Sequence, residues 1–303
     1  MSYNDYTSIL KQKFAGRVQK ILVNAGFTCP NRDGAKGTGG CTYCNNQTFS
    51  PEYCRPQKPV GEQVAEGIRF FHHKYEAQQY LVYFQSYTNT YGDISHLIKL
   101  YEEALAHPKV IGLAIGTRPD CVSDELLDYF AGLAKRKYLM IEYGIESTND
   151  ETLHFINRGH TYAEAENAIF RTAERGISVG AHLILGLPNE SREMILSHAE
   201  KVSRLPLTAL KLHQLQLVKG TQMAAQYAEK PEIFRLYNVE EYIDLVIDFL
   251  ERLNPAIAIE RFVSQSPKEL LIAPDWGVKN FEFADKIQKR LTARDTYQGR
   301  LYA

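Results

Sequence analysis

Short apolar runs recur along the chain, and between them apolar residues return at three- and four-residue spacing. The runs read as strands buried in a sheet, and the spaced stretches as amphipathic helices. Val18 to Phe27 (VQKILVNAGF) is the first strand. Helix 61–77 then leads to strand 80–86 (YLVYFQS), and helix 94–107 to strand 110–116 (VIGLAIG). Helix 123–136 leads to strand 138–145 (YLMIEYGI), helices 149–157 and 161–175 to strand 177–185 (ISVGAHLIL), and helix 191–204 to strand 208–214 (TALKLHQ). This alternation predicts a parallel sheet with helices packed on it. Six βα units are too few to close an eight-stranded barrel. The expected fold is therefore α/β, a partial (β/α)6 TIM-like barrel. Residues 3–17, with Tyr6, Ile9, Leu10 and Phe14, read as a helical lead-in covering one end. Past residue 220 the rhythm changes to an amphipathic helix 239–253, a strand near 256–263, a loop with Pro267, Pro274 and Trp276, and helix 279–293. The expected organisation is a barrel with its lead-in over 1–219 and a C-terminal α/β extension over 220–303, packed on the barrel and shaping the substrate entrance.

One stretch does not fit the periodic pattern. Residues 29–44 carry Cys29, Cys41 and Cys44 among Gly34, Gly37, Gly39 and Gly40. Such a loop has little of its own to pack, and glycines let its backbone approach a bulky centre. Three readings stand on the residues alone. Cys54 can complete a four-ligand structural zinc site, which would make the chain a non-enzymatic binding module. Three thiolates can instead hold an iron–sulfur cluster with one iron left open. Or Cys29 is an ordinary buried cysteine and only the C-x-x-C pair matters.

Composition narrows the class but not the chemistry. The 303 residues are 44% hydrophobic and 23% charged, with a net charge of −1. That is ordinary for a soluble globular protein; the net charge does not advertise nucleic-acid binding, and it leaves room for a local basic face. No apolar run is long enough to span a bilayer, and the polar start lacks a signal-peptide core. Five cysteines, an odd number, argue for a reducing compartment and metal use rather than disulfides. A cytoplasmic location without membrane attachment is expected.

The wording Cys29-Pro-Asn-Arg-Asp-Gly…Gly-Gly-Cys41-Thr-Tyr43-Cys44 resembles the cluster loop of the radical S-adenosylmethionine (SAM) superfamily. The long spacer after Cys29 is similar to the branch related to the elongator catalytic subunit. The finer wording resembles the YhcC/YtqA-type proteins nearly end to end. The resemblance implies that Cys29, Cys41 and Cys44 hold a [4Fe–4S] cluster whose open iron takes the amino and carboxylate groups of SAM. Tyr43, Asn45, Asn46 and Gln47 would surround the cluster.

Polar residues at the strand ends extend the resemblance. Many members place Gly-Gly-Glu after the second strand to contact the SAM amino group. This chain has Gln85-Ser86-Tyr87-Thr88-Asn89-Thr90 there, so Ser86 or Tyr87 is assigned by location only, with Thr90 or Asp93 as a helix cap on the bland reading. Thr117-Arg118-Pro119-Asp120 is shared with the elongator-like branch; Arg118 suits a bound carboxylate, and Asp120 is otherwise a helix cap. Cys121 is expected to be buried and inert. Glu146 falls where the superfamily places the SAM ribose. Asn157-Arg158-Gly159-His160 resembles a motif in which the arginine pairs with the SAM carboxylate, so Arg158 takes that role and His160 a structural one. Gly186 and Leu215 would lie against adenine, with Lys219 and Thr221 facing substrate. A modest basic surplus in 279–303 fits either phosphate contacts or a solvated helix face.

The resemblance implies a radical enzyme. The cluster reduces SAM, and the resulting 5′-deoxyadenosyl radical takes hydrogen from a substrate, with a flavodoxin- or ferredoxin-like electron donor. It also suggests tRNA as substrate, through conversion of carboxymethylaminomethyl-uridine to aminomethyl-uridine at the wobble position. A small molecule or peptide is the alternative substrate. Oligomeric state is left open.

Overall fold

The computed structural model describes residues 2–14, 16–45, 51–72 and 78–303. Seven parallel strands form one sheet in a curled half-barrel, running β1 (Arg17–Val23), β2 (Gln78–Phe84), β3 (Val110–Thr117), β4 (Tyr138–Glu146), β5 (Ser178–Leu185), β6 (Ala209–Gln214) and β8 (Ala258–Arg261). All six predicted βα strands are present. The strand expected near 256–263 pairs parallel with β6 and becomes the seventh of the same sheet. A two-stranded antiparallel pair, β7 (Leu217–Val218) with β9 (Leu271–Ala273), was not predicted, because two or three residues carry no period.

Helices cover the convex face. They are α2 (Val60–His72), α3 (Ile94–Leu105), α4 (Asp124–Ala134), α6 (Tyr162–Glu174), α7 (Arg192–Val202), α9 (Val239–Arg252) and α10 (Asn280–Ala293); α5 (Asp150–Phe155) and α8 (Gln222–Glu229) pack instead in a separate apolar group with Leu215. Helix starts follow side-chain chemistry: Asp93, Ser123 and Ser191 cap α3, α4 and α7, and Thr161 with Glu164 forms a capping box on α6. Ser123, not Asp120, caps α4.

Alternate strand residues divide the core. Ile21, Val82, Leu113, Ile141, Val179, Leu210 and Ile259 face outward into the main helix–sheet core. The concave face is layered along the strands. At its N-terminal end, Leu81, Ala114, Met140, Ala209 and Ala258 form an apolar floor. Helix α1 (Tyr6–Lys13) plugs this end through Tyr6 and Leu10, and Tyr6 bonds the Tyr138 hydroxyl at 2.7 Å. The predicted lead-in is this plug.

Above the plug lies a charged layer. Lys20 on β1 reaches Glu142 on β4 at 3.0 Å and Glu260 on β8 at 2.6 Å. Lys211 on β6 pairs with Glu142 and lies 3.3 Å from Glu260. The Lys20–Glu260 pair joins the two edge strands, which make no backbone ladder with each other. Side chains thus help to hold the curl.

Candidate functional site

Beyond the charged layer, at the C-terminal ends of the strands, a cavity opens. Cys29, Cys41 and Cys44 stand on its wall with Tyr43, Ser86, Arg118, Glu146, Arg158 and Leu215. These lie far apart in sequence, and the fold brings them together. Gly186 does not line the cavity; its φ of +89° makes a turn whose added Cβ would meet the Tyr237 ring at 3.2 Å.

The cysteine loop is shaped by hydrogen bonds rather than packing. Asn31 Nδ2 donates to the carbonyls of Asn157 (2.7 Å) and Arg158 (3.0 Å), and Asn157 Nδ2 donates to the Gly40 carbonyl at 2.9 Å. The Thr42 N–H donates to Ile156 O at 3.0 Å, and the Met223 N–H donates to Thr42 O at 2.8 Å. Asn45 Nδ2 donates to Lys219 O at 3.0 Å. The loop is therefore held both by the Asn157–His160 segment and by the chain after β6. Gly159 is required for this: a Cβ there would lie 2.4 Å from Asn31 Oδ1, on a φ of +74°. Asn46 and Gln47 lie outside the described residues.

Within Asn157–His160, Arg158 is the member aimed at the cavity. Its Nη2 donates to the Gly144 carbonyl at 2.7 Å and lies 3.7 Å from Glu146 Oε1, and its Nη1 lies 3.7 Å from Cys41 Sγ. Its buried Nε has no hydrogen-bond partner. Gly144 gives it room, since a Cβ there would meet Arg158 Nη2 at 2.7 Å. His160 sits between the Gly144 and Thr161 carbonyls, and burial with the neighbouring Arg158 pushes its pKa down to about 4. It is neutral at pH 7 and holds the turn.

Glu146 ends β4 with a φ of +70°, a strained conformation for a non-glycine residue. Its Oε2 is 2.8 Å from His182 Nδ1. Burial works to raise its pKa, but His182 and Arg158 hold it below the usual carboxylate range. Tyr87, beside Ser86 on the cavity wall, also has a positive φ of +65°. Arg118 is buried with its donors committed: Nε and Nη2 grip Asp120 at 3.0 and 2.9 Å, and Nη1 donates to the Arg158 carbonyl at 2.6 Å. It holds the Arg158 backbone in place.

Other expectations fall elsewhere. The Cys54 thiol donates to the Leu22 carbonyl at 2.8 Å, and burial pushes its pKa up to about 12. It stands outside the cavity, so the four-thiolate set of a zinc module is not assembled. Among the described residues no three His, Cys, Asp or Glu side chains converge on a single-ion site. Burial likewise pushes Cys121 up to about 12. Thr221 caps α8 instead of facing the cavity, and Lys219 does not line it. In and just after α10, Arg290 pairs with Glu240 and Asp244 of α9, Arg294 with Asp244 and Asp248, and Lys286 with Glu240, while Lys289 pairs with Asp285 of α10 itself. These residues of the surplus are engaged in partly exposed ion pairs with α9.

The pattern reading missed Lys20, Glu142, Lys211 and Glu260, together with His182, His213 and Arg261. Their signal was a lone charge or histidine inside an apolar strand, as in YLMIEYGI and TALKLHQ.

The donor set fits a cluster with SAM. Three thiols share one wall, and burial raises the Cys44 pKa, so a thiolate there needs the positive charge of iron. Residues 28–202 match the radical SAM superfamily and residues 207–293 the Radical_SAM C-terminal domain. The chain belongs to the radical SAM superfamily; it is an enzyme of that class, and its cofactors are a [4Fe–4S] cluster and SAM. It is 35% identical over 300 residues to YtqA of Bacillus subtilis, covering 99% of this chain and 92% of that protein. It is 24% identical to the tRNA uridine(34) acetyltransferase of Methanocaldococcus infernus, over 61% of this chain and 34% of that protein. The solved structure of Methanocaldococcus infernus Elp3 lacking its N-terminus superposes with a TM-score of 0.70 at 16% identity, covering 93% of this chain and 64% of that one. That likeness concerns the fold alone.

Proposed function

We propose that the chain is a radical SAM enzyme of tRNA wobble-uridine maturation, processing a carboxymethylaminomethyl group to an aminomethyl group. The observation that carries this reading is the sequence match to a protein named for uridine 34 of tRNA. When bound, the cluster and SAM would together act as the two-electron oxidant: hydrogen would be taken from the carboxymethyl CH2, SAM would end as methionine and 5′-deoxyadenosine, and water would hydrolyse the resulting imine to the aminomethyl group and glyoxylate.

The chain's own residues bind and orient. Cys29, Cys41 and Cys44 hold the cluster, with Tyr43 packed on the apolar group of Leu153, Ile156 and Leu215 beneath the loop. Arg158, with a free Nε, pairs with the SAM carboxylate. Glu146 accepts from the ribose hydroxyls, Ser86 faces the amino group, and Leu215 flanks adenine. Residues 220–303 act as an extension that closes the site: Gln214 exchanges two 2.9 Å bonds with the Ser264 backbone, and Ser266 donates to Gln216 at 2.9 Å. This wall excludes water. A flavodoxin- or ferredoxin-like protein donates the electron, and five free thiols suit the cytoplasm. No described helix is long and apolar enough to cross a membrane.

The test is to incubate the cluster-loaded protein, SAM and reductant with tRNA bearing the carboxymethylaminomethyl group, and to analyse its nucleosides by mass spectrometry. SAM-dependent appearance of the aminomethyl nucleoside is expected, with tRNA binding that weakens steeply with salt. Formation of 5′-deoxyadenosine with the nucleoside unchanged would overturn the reading. One observation favours a second substrate class, a small molecule or peptide: the arginines of α10 are already paired with α9 and offer no free basic face.

A further inference from the structure

The cavity's deep end is built differently from its cysteine wall. Arg261 of β8, His213 of β6 and His182 of β5 line it above the charged layer. The other cationic groups lining the cavity are engaged. Arg118 grips Asp120, Arg158 lies beside Glu146, Lys211 pairs with Glu142, and Arg32 donates to the Cys44 carbonyl at 3.0 Å. Arg261 has no acidic partner among the described residues, and its buried Nε has no hydrogen-bond partner.

The two histidines repeat the pattern. His213 is 7% exposed and His182 packs edge-on against it, ring centres 3.9 Å apart. Both Nε2 atoms are buried without a partner. Burial first, and then the nearby Arg261, push the His213 pKa well down, so it is a neutral ring able to donate one N–H. Leaving such buried groups unpaired is unfavourable, because they lose water without gaining a partner. Three unpaired polar nitrogens on one cavity wall call for a ligand group that the protein does not itself supply.

Charge counting gives its sign. Lys20, Lys211 and Arg261 oppose Glu142 and Glu260 in and above the layer, which leaves one positive charge. A singly charged anion balances it, whereas the second charge of a phosphate monoester would not. A guanidinium also matches the two oxygens of a carboxylate. The deep end connects to the cysteine wall through contacts already described: His213 against His182, His182 to Glu146, Glu146 beside Arg158, and Arg158 beside Cys41.

We infer that Arg261 and His213 form a subsite for a carboxylate of the substrate at the deep end of the cavity. The inference rests on the substrate reading above only in naming which molecule carries the carboxylate; the subsite stands on Arg261 and the two histidines. His182 closes its side. Its Nδ1 lies against Glu146, and its buried Nε2, without a partner, faces the cavity beside that carboxylate. An aminocarboxylate group of the substrate fits both halves.

The test is calorimetric titration of the cluster-loaded protein, saturated with SAM so that the SAM carboxylate site is filled. The probes are N-methylglycine and N-methylglycinamide, in which a neutral amide replaces the carboxylate and the amine is kept. The acid is expected to bind about tenfold tighter than the amide, about 1.4 kcal/mol. Arg261→Gln abolishes that preference and Arg261→Lys keeps part of it; iron content and melting temperature report whether each variant is folded. If Arg261→Gln does not fold, the reading passes to Arg261→Lys and His213→Phe, both expected to reduce the preference. Equal binding of the two probes, binding of neither, or a preference that survives these variants would overturn the subsite. Preference without nucleoside turnover removes the tRNA reading and leaves the subsite. Turnover without preference does the reverse.

Discussion

Two regions of this molecule are rich in paired charges, and they differ in what surrounds the pairs. On the surface, α10 presents Arg290 and Arg294 to Glu240, Asp244 and Asp248 of α9. Inside the half-barrel, Lys20 and Lys211 meet Glu142 and Glu260. The surface pairs are partly exposed, with Glu240 at 57% and Arg290 at 30%. Water screens them, and each is worth only about 0–1 kcal/mol. The inner pairs are nearly dry: the Lys211 and Glu142 side chains are 5% and 6% exposed. There, removing one partner strands the others, at about 3–5 kcal/mol. The comparison separates charges that dress a helix interface from charges that shape a cavity.

The largest expected effect lies inside. Glu142→Gln leaves two lysines short of a partner and should lower stability by about 3–5 kcal/mol in urea unfolding. A loss below 1 kcal/mol would erase the distinction. Next comes Gly159→Ala, which forces a Cβ onto Asn31 at a φ of +74°. The strain is about 1–3 kcal/mol, and because Asn31 orders the cysteine loop, iron retention after anaerobic purification should fall several-fold.

Acid tests the buried Arg118–Asp120 pair. Arg118 and Lys36 outweigh burial and hold Asp120 at about 2, against 3.8 for the free group. A depressed carboxylate stabilises fully above its unfolded value and ceases to do so as pH falls through the folded one. Wild-type protein should therefore lose stability relative to Asp120→Asn as pH drops from about 4 to about 2. Parallel pH curves for the two proteins would count against the pairing. The smallest effect is outside. Arg290→Ala should cost about 1 kcal/mol or less, and less again at high salt. A larger, salt-insensitive loss would place α10 with the interior network.

The same contrast explains what the sequence could tell. Strands such as VIGLAIG and ISVGAHLIL announce themselves because their outer faces are apolar and helix-covered. The cysteines were legible because a glycine-rich loop with three thiols has no packing use. The inner charges were not, because Lys20 in VQKILV or Glu260 in AIAIERFV reads as a solvent-facing position. Only the curl of the sheet, which brings β1 and β8 within reach of one salt bridge, turns those positions inward. Arg118 was legible as a strand-end arginine, but its commitment to Asp120 and the Arg158 carbonyl is set by the turn that folds Asn157–His160 back over it. The short β7–β9 pair lay below any periodic signal.

The central claim is that Cys29, Cys41 and Cys44, without Cys54, hold the cluster that works on SAM. The most direct measurement is iron, sulfide and zinc content alongside 5′-deoxyadenosine formation from SAM and reductant, in anaerobically purified wild type, Cys41→Ala and Cys54→Ala. Wild type and Cys54→Ala should carry iron and sulfide in the ratio of a [4Fe–4S] cluster and form 5′-deoxyadenosine, and Cys41→Ala should do neither. Zinc in place of iron, lost on Cys54→Ala, with no SAM cleavage, would contradict the account.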